Sequence, residues 1–100
     1  MYRYSRTIIV KNGASMQPAM QIGAEITAHV NRMYGLKMRM GPELFNELRV
    51  HWMYDADTLD GMMALSAKLA QDTVYWEMMG KLKPYVLEGS VREKVIALLG

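Results

Sequence analysis

A chain of 100 residues with no cysteine and nearly balanced charge, 12 Lys and Arg against 10 Asp and Glu, excludes several classes of protein. This length makes one domain over 1–100 the expectation, no disulfide framework or thiolate site can form, and the slight positive balance lacks the basic run of an electrostatic nucleic-acid binder. The apolar share of 51% is high for a short soluble monomer and points to self-association or a lined pocket.

Residues 5–12, Ser-Arg-Thr-Ile-Ile-Val-Lys-Asn, are rich in β-branched side chains and precede Gly13, so they predict a first strand. The run Ile8-Ile9-Val10 implies burial on both faces. It is far too short for a signal or membrane span, so a soluble, cytoplasmic protein without membrane contact is expected. Ser15 is a candidate N-cap ahead of Pro18. Ala19, Ile22, Gly23, Ile26, Val30 and Met33 then recur at helical spacing as far as Gly35, a good C-cap residue. The first helix is therefore predicted over 16–34, with Glu25, His29 and Arg32 on its solvent side. Leu36, Met38 and Met40 alternate with Lys37 and Arg39 as a strand that Gly41-Pro42 interrupts or ends, and 43–47 form a turn.

The clearest strand is Leu48 to Asp57. Leu48, Val50, Trp52 and Tyr54 share its core face, and Arg49, His51 and Met53 share the other. Asp57 or Thr58 caps the next helix, with Asp60 in its first turn, where a carboxylate suits the helix dipole. Asp72 looks like a second cap, so this helix is expected to break near Gln71, restart, and stop by Pro84. The tail from Glu88 is ambiguous. Ser90 with Glu93 is a capping-box pattern, whereas Val91, Val95 and Ile96 after Gly89-Ser90 read as a strand.

With a strand at the end the order is β-α-β-β-α-β, a ferredoxin-like α+β fold: a four-stranded antiparallel sheet with helices on one face. The other face, expected to carry Trp, Tyr and Met, then needs cover. A two-fold homodimer packed sheet on sheet supplies it.

The segments Arg6-Thr-Ile-Ile-Val-Lys-Asn-Gly, Arg49-Val-His-Trp, Asp55-Ala-Asp-Thr-Leu, Asp72-Thr-Val-Tyr75 and Glu88-Gly-Ser-Val-Arg together resemble the dimeric α+β barrel superfamily, in particular its small NIPSNAP-like and antibiotic-biosynthesis-monooxygenase-like (ABM-like) proteins. The resemblance spans nearly the whole chain and implies a final strand. Similar proteins include cofactor-free quinol monooxygenases and haem-degrading enzymes. The haem-degrading branch uses an Asn, Trp and His set. Asn12, Trp52 and His51 are present here, but adjacent strand residues face opposite ways, so that role is not carried over.

His51, at the centre of a strand, is the best catalytic candidate, as a general base or a hydrogen-bonding ligand anchor. A structural histidine at a dimer face is the competing reading. Trp52, Tyr54, Tyr75 and Trp76, with Phe45 and Tyr85, are candidate ligand-binding walls for a flat molecule, in a pocket over the central strand with His51 as polar anchor, or, alternatively, ordinary core. His29 reads as a surface residue, and Arg3 and Arg6 as a solvated charge pair. Asp55, Asp57 and Asp60 are explained by a strand end and a helix cap, so no metal and no cofactor is expected. No dinucleotide, Walker or nucleophile-elbow motif is present. The function expected is binding, with oxidation as a further option, of a small aromatic or hydrophobic molecule. The alternative is a non-catalytic homodimeric association or stress-response module.

Overall fold

The computed structural model describes residues 1–45 and 48–100. In chain order it forms β1 (Tyr2–Ile9), α1 (Met16–Tyr34), β2 (Arg39–Pro42), β3 (Arg49–Ala56), α2 (Leu59–Ala70), α3 (Thr73–Leu82) and β4 (Arg92–Ala97), with short 3-10 turns at Gly13–Ser15 and Lys83–Tyr85. The four strands pair antiparallel in the order β2-β3-β1-β4. This is the ferredoxin-like α+β arrangement, with the second helical segment divided in two. Among the described residues no helix is long and apolar enough to cross a membrane.

Strand alternation decides which side chains meet the helices. Ile8, Val50, Trp52 and Tyr54 are buried on one face. They pack with Ala19, Ile26 and Val30 of α1, Met62 and Leu65 of α2, and Tyr75 and Leu82 of α3. Because Tyr4, Arg6 and Ile8 stand opposite Tyr54, Trp52 and Val50, they share that face. A one-residue slip would turn the whole set outward, so the register is strongly specified.

Helix α1 approaches the sheet at Gly23. A Cβ there would lie 2.8 Å from both Met40 Cε and Trp52 Cζ2. One turn on, Thr27 Oγ1 accepts from Trp52 Nε1–H at 3.1 Å and donates to the Gly23 carbonyl at 2.8 Å. The indole is thus held against α1 by its own hydrogen bond, whereas the Met40 methyl can swing. Gly23→Ala gains up to about 1 kcal/mol of helix propensity. It is expected to lose more than that, about 1–3 kcal/mol, to overpacking against the indole. Urea unfolding should show a net destabilised variant, and a stabilised one would refute the close approach.

The caps explain the helix boundaries. Gly35 adopts φ +65° after α1, a left-handed conformation that glycine enters without the Cβ penalty. Thr58 Oγ1 accepts from the Gly61 N–H at 3.0 Å, and Asp72 Oδ1 accepts from the Tyr75 N–H at 3.0 Å. The first cap starts α2, and the second separates α2 from α3 at the expected break.

Several local expectations are corrected. The first strand starts at Tyr2, not residue 5, because Tyr2 to Thr7 pair with both β3 and β4. It ends at Ile9, beyond which Val10 bridges to Val86. The cap ahead of α1 comes from Asn12, whose Oδ1 accepts from the Ser15 N–H and Oγ–H; Ser15 makes no side-chain cap. The second strand begins at Arg39, not Leu36, because the Asn31 side chain takes both backbone groups of Met38, at 2.8 and 3.1 Å. Gly41 and Pro42 do not interrupt that strand; they are its last two residues and end it. The turn expected over 43–47 falls partly on residues 46 and 47, outside the described residues.

His29 is not a surface residue: it is 5% exposed, while Met33, expected in the core stripe, is 57% exposed. The reason is α3, whose N-terminus packs over that side of α1. The tail is a strand, and Ser90 serves it differently from a helix cap, its hydroxyl bonding both backbone groups of Ile9. Finally, the sheet face away from the helices does not carry Trp and Tyr. It presents Arg3, Ser5, Thr7 and Ile9 of β1, Arg49, His51 and Met53 of β3, and Lys94 and Ile96 of β4.

Candidate functional site

A cavity of about 620 Å³ lies between the sheet and the helices, walled by β1, β3 and β4 on one side and by α2 and α3 on the other. That volume is in the range of pockets for small organic ligands. Its deep end is formed by buried Ile8, Ile26, Val30, Trp52 and Leu82. Other lining residues, Met63, Trp76, Val91 and Val95, are large apolar groups left exposed. A recess of this kind continuous with exposed apolar groups marks a binding site more often than chance surface.

A hydrogen-bonded set of polar side chains lines this apolar space, besides Ser66 and Lys83. Arg6 Nη1 donates to the Tyr75 hydroxyl at 3.1 Å, and Nη2 donates to Glu93 Oε1 at 3.2 Å. The Tyr4 hydroxyl donates to Glu93 Oε2 at 2.6 Å. Arg6 arrives here through register: it stands between Trp52 of β3 and Glu93 of β4. Burial works against the Arg6 charge, but the Tyr75 and Tyr4 hydroxyls and the Glu93 carboxylate outweigh it, so its pKa lies above the ordinary value. Burial, and then the Glu93 carboxylate, push the Tyr4 hydroxyl upward and keep it a donor. Burial also raises Tyr54. Arg6 Nε is buried with no hydrogen-bond partner among the described residues.

The five site residues expected from sequence divide. Trp52, Tyr54, Tyr75 and Trp76 all line the cavity. His51 does not; it lies on the opposite sheet face, where its Nδ1 and Thr7 Oγ1 share a hydrogen bond at 2.9 Å and Glu43 Oε1 stands 3.8 Å from Nε2. Its side chain is 30% exposed. A pocket with His51 as anchor and Trp52 as wall is therefore corrected by strand alternation. Phe45 is fully exposed and Tyr85 packs at the edge of the core. Sequence reasoning missed Arg6, Tyr4 and Glu93. The signal was present: once Ile8 faces the core, Arg6 and Tyr4 must face the same side.

A second polar cluster is buried between α1 and α3. Asp72 Oδ2 takes the Tyr34 hydroxyl at 2.5 Å and lies 2.8 Å from His29 Nε2, while its Oδ1 caps α3. The Tyr34 hydroxyl, the Tyr75 backbone N–H and His29, in that order, pull the Asp72 carboxyl down to about 2. This cluster fastens two helices. Among the described residues no group of three or more acidic or histidine side chains is placed to hold a metal ion.

No family model matches the chain, and no curated protein matches it by sequence. Solved structures do match. An uncharacterised NIPSNAP domain protein from Burkholderia xenovorans superposes with a TM-score of 0.82 at 16% identity, covering 99% of this chain and 95% of its own. A putative antibiotic biosynthesis monooxygenase from Nitrosomonas europaea gives 0.76 at 11% identity over the full length of both chains. SnoaB, a cofactor-independent oxygenase from Streptomyces nogalater, gives 0.71 at 9% identity, covering 97% of this chain and 91% of that one. The chain thus carries the fold of the NIPSNAP and antibiotic-biosynthesis-monooxygenase-like proteins that its segments resemble.

Proposed function

We propose that this chain is a homodimer that binds a small aromatic or hydrophobic molecule in the cavity between sheet and helices, with oxidation of that molecule as the activity to test first. The observation that carries the reading is the cavity itself, largely apolar and open at exposed aromatic and methionine side chains, with one convergent polar cluster. The cofactor-independent oxygenase among the structural neighbours supports testing oxidation. A chain without cysteine suits the reducing cytoplasm.

The test is a thermal-shift screen against naphthols, quinols and quinones, followed by oxygen-uptake measurement on any compound that binds. Stabilisation by planar aromatics is expected. No shift with any of them at millimolar concentration would remove the ligand-binding reading.

The homodimer rests on exposure. All six residues of β4 are exposed, Val95 at 47% and Ile96 at 42%, although the strand is fully paired to β1 on one side. An uncovered edge strand with apolar side chains is a liability that a partner removes. The same exposure favours the second reading, a non-catalytic association module. Sedimentation is expected to show a dimer at micromolar concentration. Ile96→Asp should weaken association by roughly tenfold or more. A monomeric wild-type chain would refute the dimer.

A further inference from the structure

We propose that the cavity selects an aromatic oxyanion, a flat ring system bearing a carboxylate or ionised phenol, whose charged oxygen is held by Arg6. The proposal rests on the cavity being a ligand site and names the chemistry of the ligand.

Arg6 is a cation placed where cations are costly. It stands on a central strand, lines an apolar cavity and has Trp52 beside it across β3. Its compensation is incomplete. A guanidinium offers five N–H donors. Here it uses Nη1 on Tyr75 and Nη2 on Glu93, while Nε is buried without a partner among the described residues. The Glu93 side chain is 50% exposed and sits on the edge strand β4, so it can turn to solvent. Arg6 is less exposed, at 26%, and its strand is paired on both sides, which keeps its side chain on the cavity face. Among the described residues, the charged side chains lining the cavity are cationic Arg6 and Lys83 and anionic Glu93, a net excess of one positive charge.

The geometry describes a binding position occupied by an internal stand-in. The Glu93 carboxylate takes one guanidinium nitrogen and the Tyr4 hydroxyl. A ligand carboxylate or phenolate offers the same acceptor oxygens from inside the cavity. It would displace Glu93, inherit the Arg6 and Tyr4 donors, and bury its rings against Trp52 and Tyr75. A neutral aromatic gains only the apolar wall, and a cationic one meets Arg6 as a like charge.

Isothermal titration calorimetry at neutral pH with 2-naphthoate, 2-naphthol and 2-naphthylmethylammonium tests this, because the three share a ring system and differ in charge. The wild-type chain is expected to bind naphthoate most tightly, naphthol less and the ammonium least. Arg6→Gln should weaken naphthoate by roughly tenfold or more while changing naphthol by less than about threefold. Glu93→Gln should act in the opposite direction, tightening naphthoate about threefold by removing its competitor. Naphthol bound as tightly as naphthoate by the wild-type chain, or Glu93→Gln weakening naphthoate, would overturn the oxyanion assignment and leave the cavity reading standing. Failure of all three probes to bind would overturn both. The charge series on the wild-type chain decides the question even if Arg6→Gln does not fold.

Discussion

Asp72→Ala is expected to lower the melting temperature by roughly 10–20 °C, because one carboxylate serves three groups at once. It caps α3 through the Tyr75 N–H, receives the Tyr34 hydroxyl, and stands 2.8 Å from His29. His29 is almost fully buried, and its Nδ1 already has no partner among the described residues. Removing the carboxylate leaves the imidazole with neither nitrogen paired, which costs far more than an exposed pair would. Asp72→Asn keeps one oxygen for the cap and turns an amide NH2 towards Tyr34 and His29, so it should lose less. The pH dependence follows from the depressed carboxyl. Its folded value near 2 lies below its ordinary 3.8. Its contribution is therefore complete above about pH 4 and is lost as the pH falls towards 2. Acid titrations of wild type and Asp72→Asn should diverge above this window and converge within it. Parallel curves would show that the carboxylate does not couple to folding.

Gly80→Leu should separate stability from binding in opposite directions. Gly80 lies in α3, lines the cavity, and would have nothing within 4 Å of an added Cβ. Replacing a helical glycine by leucine stabilises the helix by up to about 1 kcal/mol, a rise of roughly 4–8 °C in a domain this small. The same side chain starts at the cavity wall and takes up ligand space. Affinity for 2-naphthol should fall by roughly tenfold or more. Calorimetry and thermal melts on one preparation read both effects. A more stable variant with unchanged affinity would place the ligand elsewhere.

Much of this architecture was legible in the residues, and the failures have physical causes. The alternation of Val50, Trp52 and Tyr54 placed β3 in the core, and the Asp72 cap located the division between α2 and α3. The final strand needed the family resemblance, since local pattern did not decide between Ser90-Glu93 capping and β-branched pairing. His29 was misread because the spacing along α1 reports that helix alone, whereas the group that buries His29 comes from α3, 43 residues away. Arg6 was misread for a related reason: charge reads as solvated unless register is considered, and register depends on pairing with Trp52 and Glu93. His51 and Trp52 were assigned to one pocket against the alternation that separates them. A sequence shows the period of a strand readily, and shows poorly which distant segments cover each face.

Whether the space between sheet and helices is a ligand site can be read by amide and indole chemical-shift mapping in NMR during titration with 2-naphthol. Shifts are expected at the Trp52 indole N–H and at Ile26, Leu65 and Met79, with His51, Met53 and Ser5 on the opposite sheet face unmoved. Shifts confined to that opposite face, or no shifts at saturating probe, would contradict it.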